Sequence, residues 1–234
     1  MPTRLAVLAL AGLVAAGCGG GSGREGKAAL WVTRDRGAHA LLIRTVAAGQ
    51  TAMQALEDEA EVETRYGGRF VQSIDGVEGS VSARRDWFYF VNGFEGDRSA
   101  AEYRLRPGDV EWWDFRSWAG RMQEPVVVGA FPEPFLHGYG GRRRPAAVRY
   151  TARSLLAGAR AIARAIRAVS LAHASTPVAR DANLFLVVSG RPRLVAAPRF
   201  SGFRAGDPVK FTFAGNARRL ARHPELVRRR YRWP

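Results

Sequence analysis

The chain has 234 residues, one cysteine, and 36 basic against 21 acidic side chains, a formal net charge of +15. A single cysteine excludes an internal disulfide framework. The charge is uneven: residues 24–120 carry 13 basic and 16 acidic side chains (−3), residues 121–234 carry 22 and 5 (+17). The composition shift near residue 120 therefore marks the expected boundary between two domains, 28–120 and 121–234.

At the start, Arg4 precedes an apolar run over residues 5–16, too short to span a bilayer, and small residues follow it. Residues 1–17 read as a bacterial secretion signal. The tetrapeptide Ala15-Ala16-Gly17-Cys18 resembles the lipobox of bacterial lipoproteins, with Ala15 where that family most often has Leu. The resemblance implies that Cys18 is lipidated and holds the protein on the extracytoplasmic face of the cell membrane. An ordinary signal peptide with an incidental cysteine is the alternative. Residues 18–27 then form a glycine-rich linker, and no later stretch reaches about 18 uninterrupted apolar residues. For an exported protein the positive charge points to anionic lipid or an envelope polymer, and nucleic acid is excluded as a partner.

In the first half, 28–34 and 39–46 read as two strands joined by Asp35-Arg36-Gly37. Thr51 is placed to cap a helix over 51–61, with Ala52, Met53, Leu56 and Ala60 on one face. A strand is predicted at 70–76. The most strand-like run is 86–93, where alternation sets Trp87, Tyr89 and Val91 against Phe88 and Phe90, and it is expected at the centre of its sheet. Strands at 101–105 and 110–115 are expected to pair through Arg106-Pro107-Gly108-Asp109.

Four motifs in this order carry a resemblance: the Thr-started helix after Gly49, Phe70-Val71 with Ile74-Asp75-Gly76, Phe88 to Gly93, and Tyr103-x-Leu105-x-x-Gly108-Asp109-Val110-x-Trp112. Together they resemble the C-terminal β-domain of transcobalamin and intrinsic factor and its uncharacterised bacterial relatives. The resemblance implies a β-grasp-like domain, a mixed sheet with one helix, over about 90 residues. In those proteins the β-domain is half of a clamp on cobalamin, the other half being a helical barrel for which this chain has no room. Cobalamin or a related corrinoid is thus an implied ligand, and components of a membrane transporter implied partners.

The second half is expected to be a smaller, basic α+β domain. A strand is predicted at 126–131, stopped by Pro132 and Pro134. A long amphipathic helix is predicted over 151–173, with Leu155, Ala159, Ile162, Ile166 and Val169 in one stripe and Arg153, Arg160, Arg164 and Arg167 on the other side. Strands follow at 184–188, 194–197 and 209–213. The tail, 218–232, reads as a short basic helix ending in a mobile terminus.

Chemistry is sparse. His39, His137, His173 and His223 lack metal-ligand spacing, no nucleophile elbow or phosphate loop is present, and Cys18 is assigned to lipid. No catalytic residue, metal or certain cofactor is assigned, and the chain is read as a binding protein; an envelope enzyme built on the C-terminal half is the distant alternative. Trp87, Tyr89, Asn92, Trp112 and Trp113 are the candidate ligand platform, because flat aromatic side chains take rings and sugars as well as filling cores. At least one tryptophan of the cluster is expected on an exposed face. Asn92-Gly93 also matches a turn needing positive φ. Arg153, Arg160, Arg164 and Arg167 are candidates for anionic-surface contact, or simply the solvated face of a packed helix. Two roles stay open: capture of a small, corrinoid-like molecule for uptake, or a protein or polymer interaction module of the envelope.

Overall fold

A computed structural model describes residues 26–234; the predicted secretion signal, Cys18 and most of the predicted linker lie outside the described residues. Two five-stranded sheets, one three-stranded sheet and three short α-helices make the architecture α+β.

Strands β1 (Lys27–Arg34) and β2 (His39–Ala47) form the expected antiparallel hairpin, turned through positive φ at Asp35, Arg36 and Gly37. Helix α1 (Ala52–Glu57) starts in a capping box: the Thr51 hydroxyl accepts from the Gln54 N–H while the Gln54 side chain accepts from the Thr51 N–H. It buries Ala52, Met53, Ala55 and Leu56. A small antiparallel sheet follows, β3 (Val62–Arg65), β4 (Phe70–Ile74) and β5 (Val77–Glu78). Then come β6 (Arg85–Val91), β7 (Phe94–Glu95) and β8 (Val110–Ser117), and the first large sheet runs β2-β1-β8-β6-β7.

The centre of that sheet is β8, parallel to β1 and antiparallel to β6. The aromatic run expected there is β6, which its outer neighbour β7 covers only at Phe90 and Val91. Residues 101–105 are not a strand. Their backbone bonds the entry to α1 instead, Ala52 N–H to Tyr103 C=O and Leu105 N–H to Gln50 C=O. Tyr103 and Leu105 are buried as anchors of a loop, and that spacing mimics strand alternation.

In the second half, β9 (Ala146–Tyr150), α2 (Leu156–Ala165), β10 (Ser170–His173), β11 (Asn183–Val188), β12 (Arg193–Pro198), β13 (Val209–Ala214) and α3 (Ala217–Arg222) build a sheet of order β10-β9-β11-β13-β12. All pairs are parallel except β12 with β13. Parallel neighbours need a crossover, and α2 supplies the one between β9 and β10. The helix predicted over 151–173 is therefore too long. It begins after a 3-10 turn at Arg153–Leu155 and ends at Ala165, Arg167 adopts φ 51°, and Ser170–His173 becomes a strand whose backbone finds partners on β9. Val169, the last member of the predicted stripe, is 72% exposed.

Two further expectations fail for related reasons. Residues 126–131 make only a single bridge, Val126 to Phe94, and pass into turns; their apolar character comes from burial of Val127, Val128, Ala130 and Phe131 as packing groups without a sheet neighbour. The tail, expected to end free, is packed: Tyr231 is buried against the first sheet and Trp233 packs on Phe213. Side chains of both halves also meet at Phe94, which packs on Tyr139 and on Phe203.

Candidate functional site

Strand alternation splits the candidate platform between the two faces of the first sheet. On one face β8 presents Glu111, Trp113 and Phe115, and β6 presents Trp87, Tyr89 and Val91; on the other stand Trp112, Asp114 and Arg116, with Phe88 and Phe90. The expected pairing of the two aromatic segments is present, with Tyr89 opposite Trp113 and Phe90 opposite Trp112.

The Trp112 face is sealed. Its indole is fully buried, packs against Trp31, Phe90 and Tyr231 with ring centroids 5.4 to 6.2 Å away, and donates to the Thr33 hydroxyl at 2.7 Å. Thr33 in turn donates to Asp114, also buried, at 2.6 Å. Burial holds the Asp114 carboxyl above its ordinary range, against the bonds from Thr33 and the Gly37 N–H that favour its charge. Trp112 has no route to a ligand, so its place in the platform is corrected to a core role. The same holds for Asn92, which is fully buried at φ 52° and forms with Gly93 the two-residue turn between β6 and β7. Its amide donates to Asp109 and to the Gly138 C=O at 2.7 Å each and accepts from the Val110 N–H, so every polar atom is occupied by protein.

The Trp113 face opens at its edge. Because β7 is two residues long, the outer side of β6 is left uncovered, and there lies an open groove of about 570 Å³. Trp87, Tyr89 and Trp113 line it together with Phe70, Trp118 and Met122, while Arg69, Arg98 and Glu95 supply charge at its margin. Tyr89 stacks on Trp113 at 5.1 Å with an interplanar angle of 26°. Gly96 allows the chain to pass this close to Tyr89, since a Cβ there would lie 2.2 Å from the phenol ring. Trp87 is fixed by its N–H to the Val77 C=O at 2.7 Å and by Phe115 at 5.2 Å. Trp87 and Trp113 are themselves buried, at 5% and 3% exposure, so they back the groove and show it little surface; the ring surface at the groove comes from half-buried Tyr89 and Trp118, and Trp118 comes nearest to the expected exposed tryptophan.

Sequence reasoning missed Arg116, which lies on the Trp112 face and does not line the groove but holds its Met122 margin in place. Its guanidinium is fully buried, lies 3.6 Å from the centroid of Phe88 and donates to the Arg121 and Met122 carbonyls, holding the Met122 loop beside the aromatic strand. Behind the groove, the Trp113 indole donates at 2.6 Å to Glu111. Burial pushes this carboxyl up to about 8, against the opposing effect of the Trp113 bond. No local motif marks either residue, since charged side chains inside a strand ordinarily signal a solvated face.

Of the basic candidates, Arg153, Arg160, Arg164 and Arg167 are all exposed. Arg160 and Arg164 line a second groove of about 460 Å³ between α2 and α3, whose other arginines are Arg218 and Arg222. Arg153 and Arg167 lie beyond the two ends of α2 and do not line it. The missed pair repeats the i, i+4 spacing of the first, which was the available signal. Among the described residues, no group of three or more His, Cys, Asp or Glu is placed to hold a metal ion, and no helix is long and apolar enough to cross a membrane.

Residues 49–117, from the entry of α1 to the end of β8, match a family described as a domain of unknown function, DUF4430. Among solved structures, the chain is similar to a candidate metal-binding protein from Ruminococcus gnavus ATCC 29149, at 15% identity and TM-score 0.32, covering 40% of this chain and 98% of that one. It is also similar to haptocorrin in complex with Cbi, at 16% identity and TM-score 0.33, covering 39% of this chain and 25% of haptocorrin. No curated protein sequence matches the chain.

Proposed function

We propose that this is a non-enzymatic binding protein, lipid-anchored through Cys18 on the extracytoplasmic face of the membrane, that captures a flat-ringed small molecule in the groove beside β6 and delivers it to membrane transport components. The observation that carries the reading is the stacked Tyr89–Trp113 pair in a groove of about 570 Å³ otherwise lined largely by apolar and aromatic side chains. Trp113 is buried and backs Tyr89, so the ring surface offered to a π-system is that of Tyr89, Trp118 and Phe70, with Arg69 and Arg98 at the margin for polar substituents. An open groove of this size grips one face of a large ring rather than enclosing it, so a corrinoid is the first ligand to try.

Equilibrium dialysis of the full-length protein against cobalamin tests this. The reading expects saturable binding, weakened at least about tenfold, or about 1.4 kcal/mol, by Trp118→Ala. Absence of saturable binding up to about 1 mM removes the corrinoid; binding that is indifferent to Trp118→Ala and Met122→Ala removes the groove. Metabolic labelling with a radioactive fatty acid, lost in Cys18→Ser, tests the anchor.

A further inference from the structure

We propose that the groove between α2 and α3 is a binding site for a ligand carrying two or more phosphate groups, held by Arg160, Arg164, Arg218 and Arg222. The four guanidinium groups converge because the two helices touch at a glycine. A Cβ on Gly158 would stand 2.9 Å from the Cβ of Ala217, so a larger residue there forces the helices apart. Ala159 and Ile162 of α2 and Leu220 of α3 are fully buried, which fixes both helices and turns their arginine pairs toward a common groove floored by Ala157 and Ala161.

Nothing among the described residues answers this charge. Among the described residues none of the four arginines lies within 4.0 Å of a carboxylate; the acids of this half pair with Arg36, Arg121, His137, Arg144 and His223 instead. Their one side-chain hydrogen bond runs from Arg222 Nε to the Arg218 C=O at 3.4 Å. Helix stability does not explain the arrangement either. Arg164 and Arg222 sit in the last turns of their helices, where the helix dipole favours a cation, but Arg218 sits in the first turn of α3, where it disfavours one. Like charges at i, i+4 are destabilising by a few tenths of a kcal/mol, and here two such pairs face each other. A cluster that costs stability and lacks internal partners is what an anion site requires.

The ligand chemistry follows from charge density. A lone carboxylate offsets one of four charges, whereas two adjacent phosphates bring two to three negative charges into a groove of about 460 Å³. Guanidinium forks also match phosphate oxygens two at a time. The phosphates can belong to a soluble diphosphate ester or to a polyphosphorylated lipid headgroup.

Isothermal titration of the full-length protein with inorganic pyrophosphate is the direct test. Saturable binding is expected, weakening as salt rises, and reduced at least about tenfold by the double substitution Arg160→Gln/Arg218→Gln. Because that variant relieves repulsion, its melting temperature without ligand is expected to be no lower than that of the parent, which separates lost binding from lost fold. The double substitution Arg191→Gln/Arg193→Gln removes equal charge from exposed positions off the groove and is expected to leave affinity within about twofold, or roughly 0.4 kcal/mol. Equal losses in the two double variants, or no pyrophosphate binding at about 1 mM, overturn the site. Flotation of the Cys18→Ser protein with cardiolipin vesicles assigns the source: flotation that Arg160→Gln/Arg218→Gln abolishes identifies a headgroup, and pyrophosphate binding without flotation identifies a soluble ester.

Discussion

The two faces of the first sheet are built from the same strands and the same residue types, yet one is closed and the other opens to solvent at its edge. On the closed face the terminal segment brings Tyr231 over Trp112, Trp31 and Phe90, and the polar atoms of Trp112, Thr33 and Asp114 bond to one another. On the other, α1 and the small sheet cover the interior but stop short of the β6 edge, leaving Tyr89, Trp118 and Met122 around a groove. Composition does not separate these faces. What separates them is whether a distant part of the chain arrives to cover the aromatic surface.

The sharpest way to break the comparison is Trp112→Ala. It empties a fully buried site, and a loss of about 3–5 kcal/mol in unfolding free energy by denaturant titration is expected. Tyr231→Ala uncaps the same cluster from outside and should lower stability by about 3 kcal/mol, read the same way; a change below about 1 kcal/mol means that the tail does not seal the face. Glu111 probes the open face from behind. Its carboxyl holds a proton in the fold, with a pKa of about 8, that the unfolded chain releases near the ordinary 4.5. The fold is therefore favoured at low pH, and stability falls as pH rises between those values, by about 1.4 kcal/mol per pH unit from this group, and levels off above. Glu111→Gln keeps an acceptor for the Trp113 N–H and should flatten that decline in melts at pH 5 to 8. An unaltered slope assigns it to the other buried carboxylates, Asp109, Asp114 and Glu133, which burial shifts in the same direction. The smallest effect belongs to Trp118→Ala, which should change stability by no more than about 0.5 kcal/mol while weakening ligand capture, the signature of a surface kept for binding.

Much of the first half was legible. Local signals with short reach held: Thr51 caps α1, Asn92-Gly93 turns β6 into β7, and the two aromatic segments pair. The errors fall where burial imitated secondary structure. Tyr103 and Leu105 alternate like a strand because both anchor a loop, and residues 126–131 are apolar because they pack rather than pair. The predicted helix over 151–173 ran on past Ala165 because its stripe continued by chance to Val169, while the competing bonds of β10 to β9 join residues more than twenty positions apart. Of the platform, Trp87, Tyr89 and Trp113 reach the groove and Trp112 and Asn92 do not.

Residue order alone determined the elements governed by neighbours: the β1–β2 hairpin, the capped helix, the aromatic strands, and a second half whose basic excess was visible as a count. Which face borders a groove was decided only by the tertiary structure: Trp112 and Trp113 are both buried, on opposite faces, but a tail more than a hundred residues away seals the first face while the second is left open beside Tyr89 and Trp118. The arginine groove was decided there too. Two i, i+4 pairs 58 residues apart become one site because Gly158 lets their helices touch.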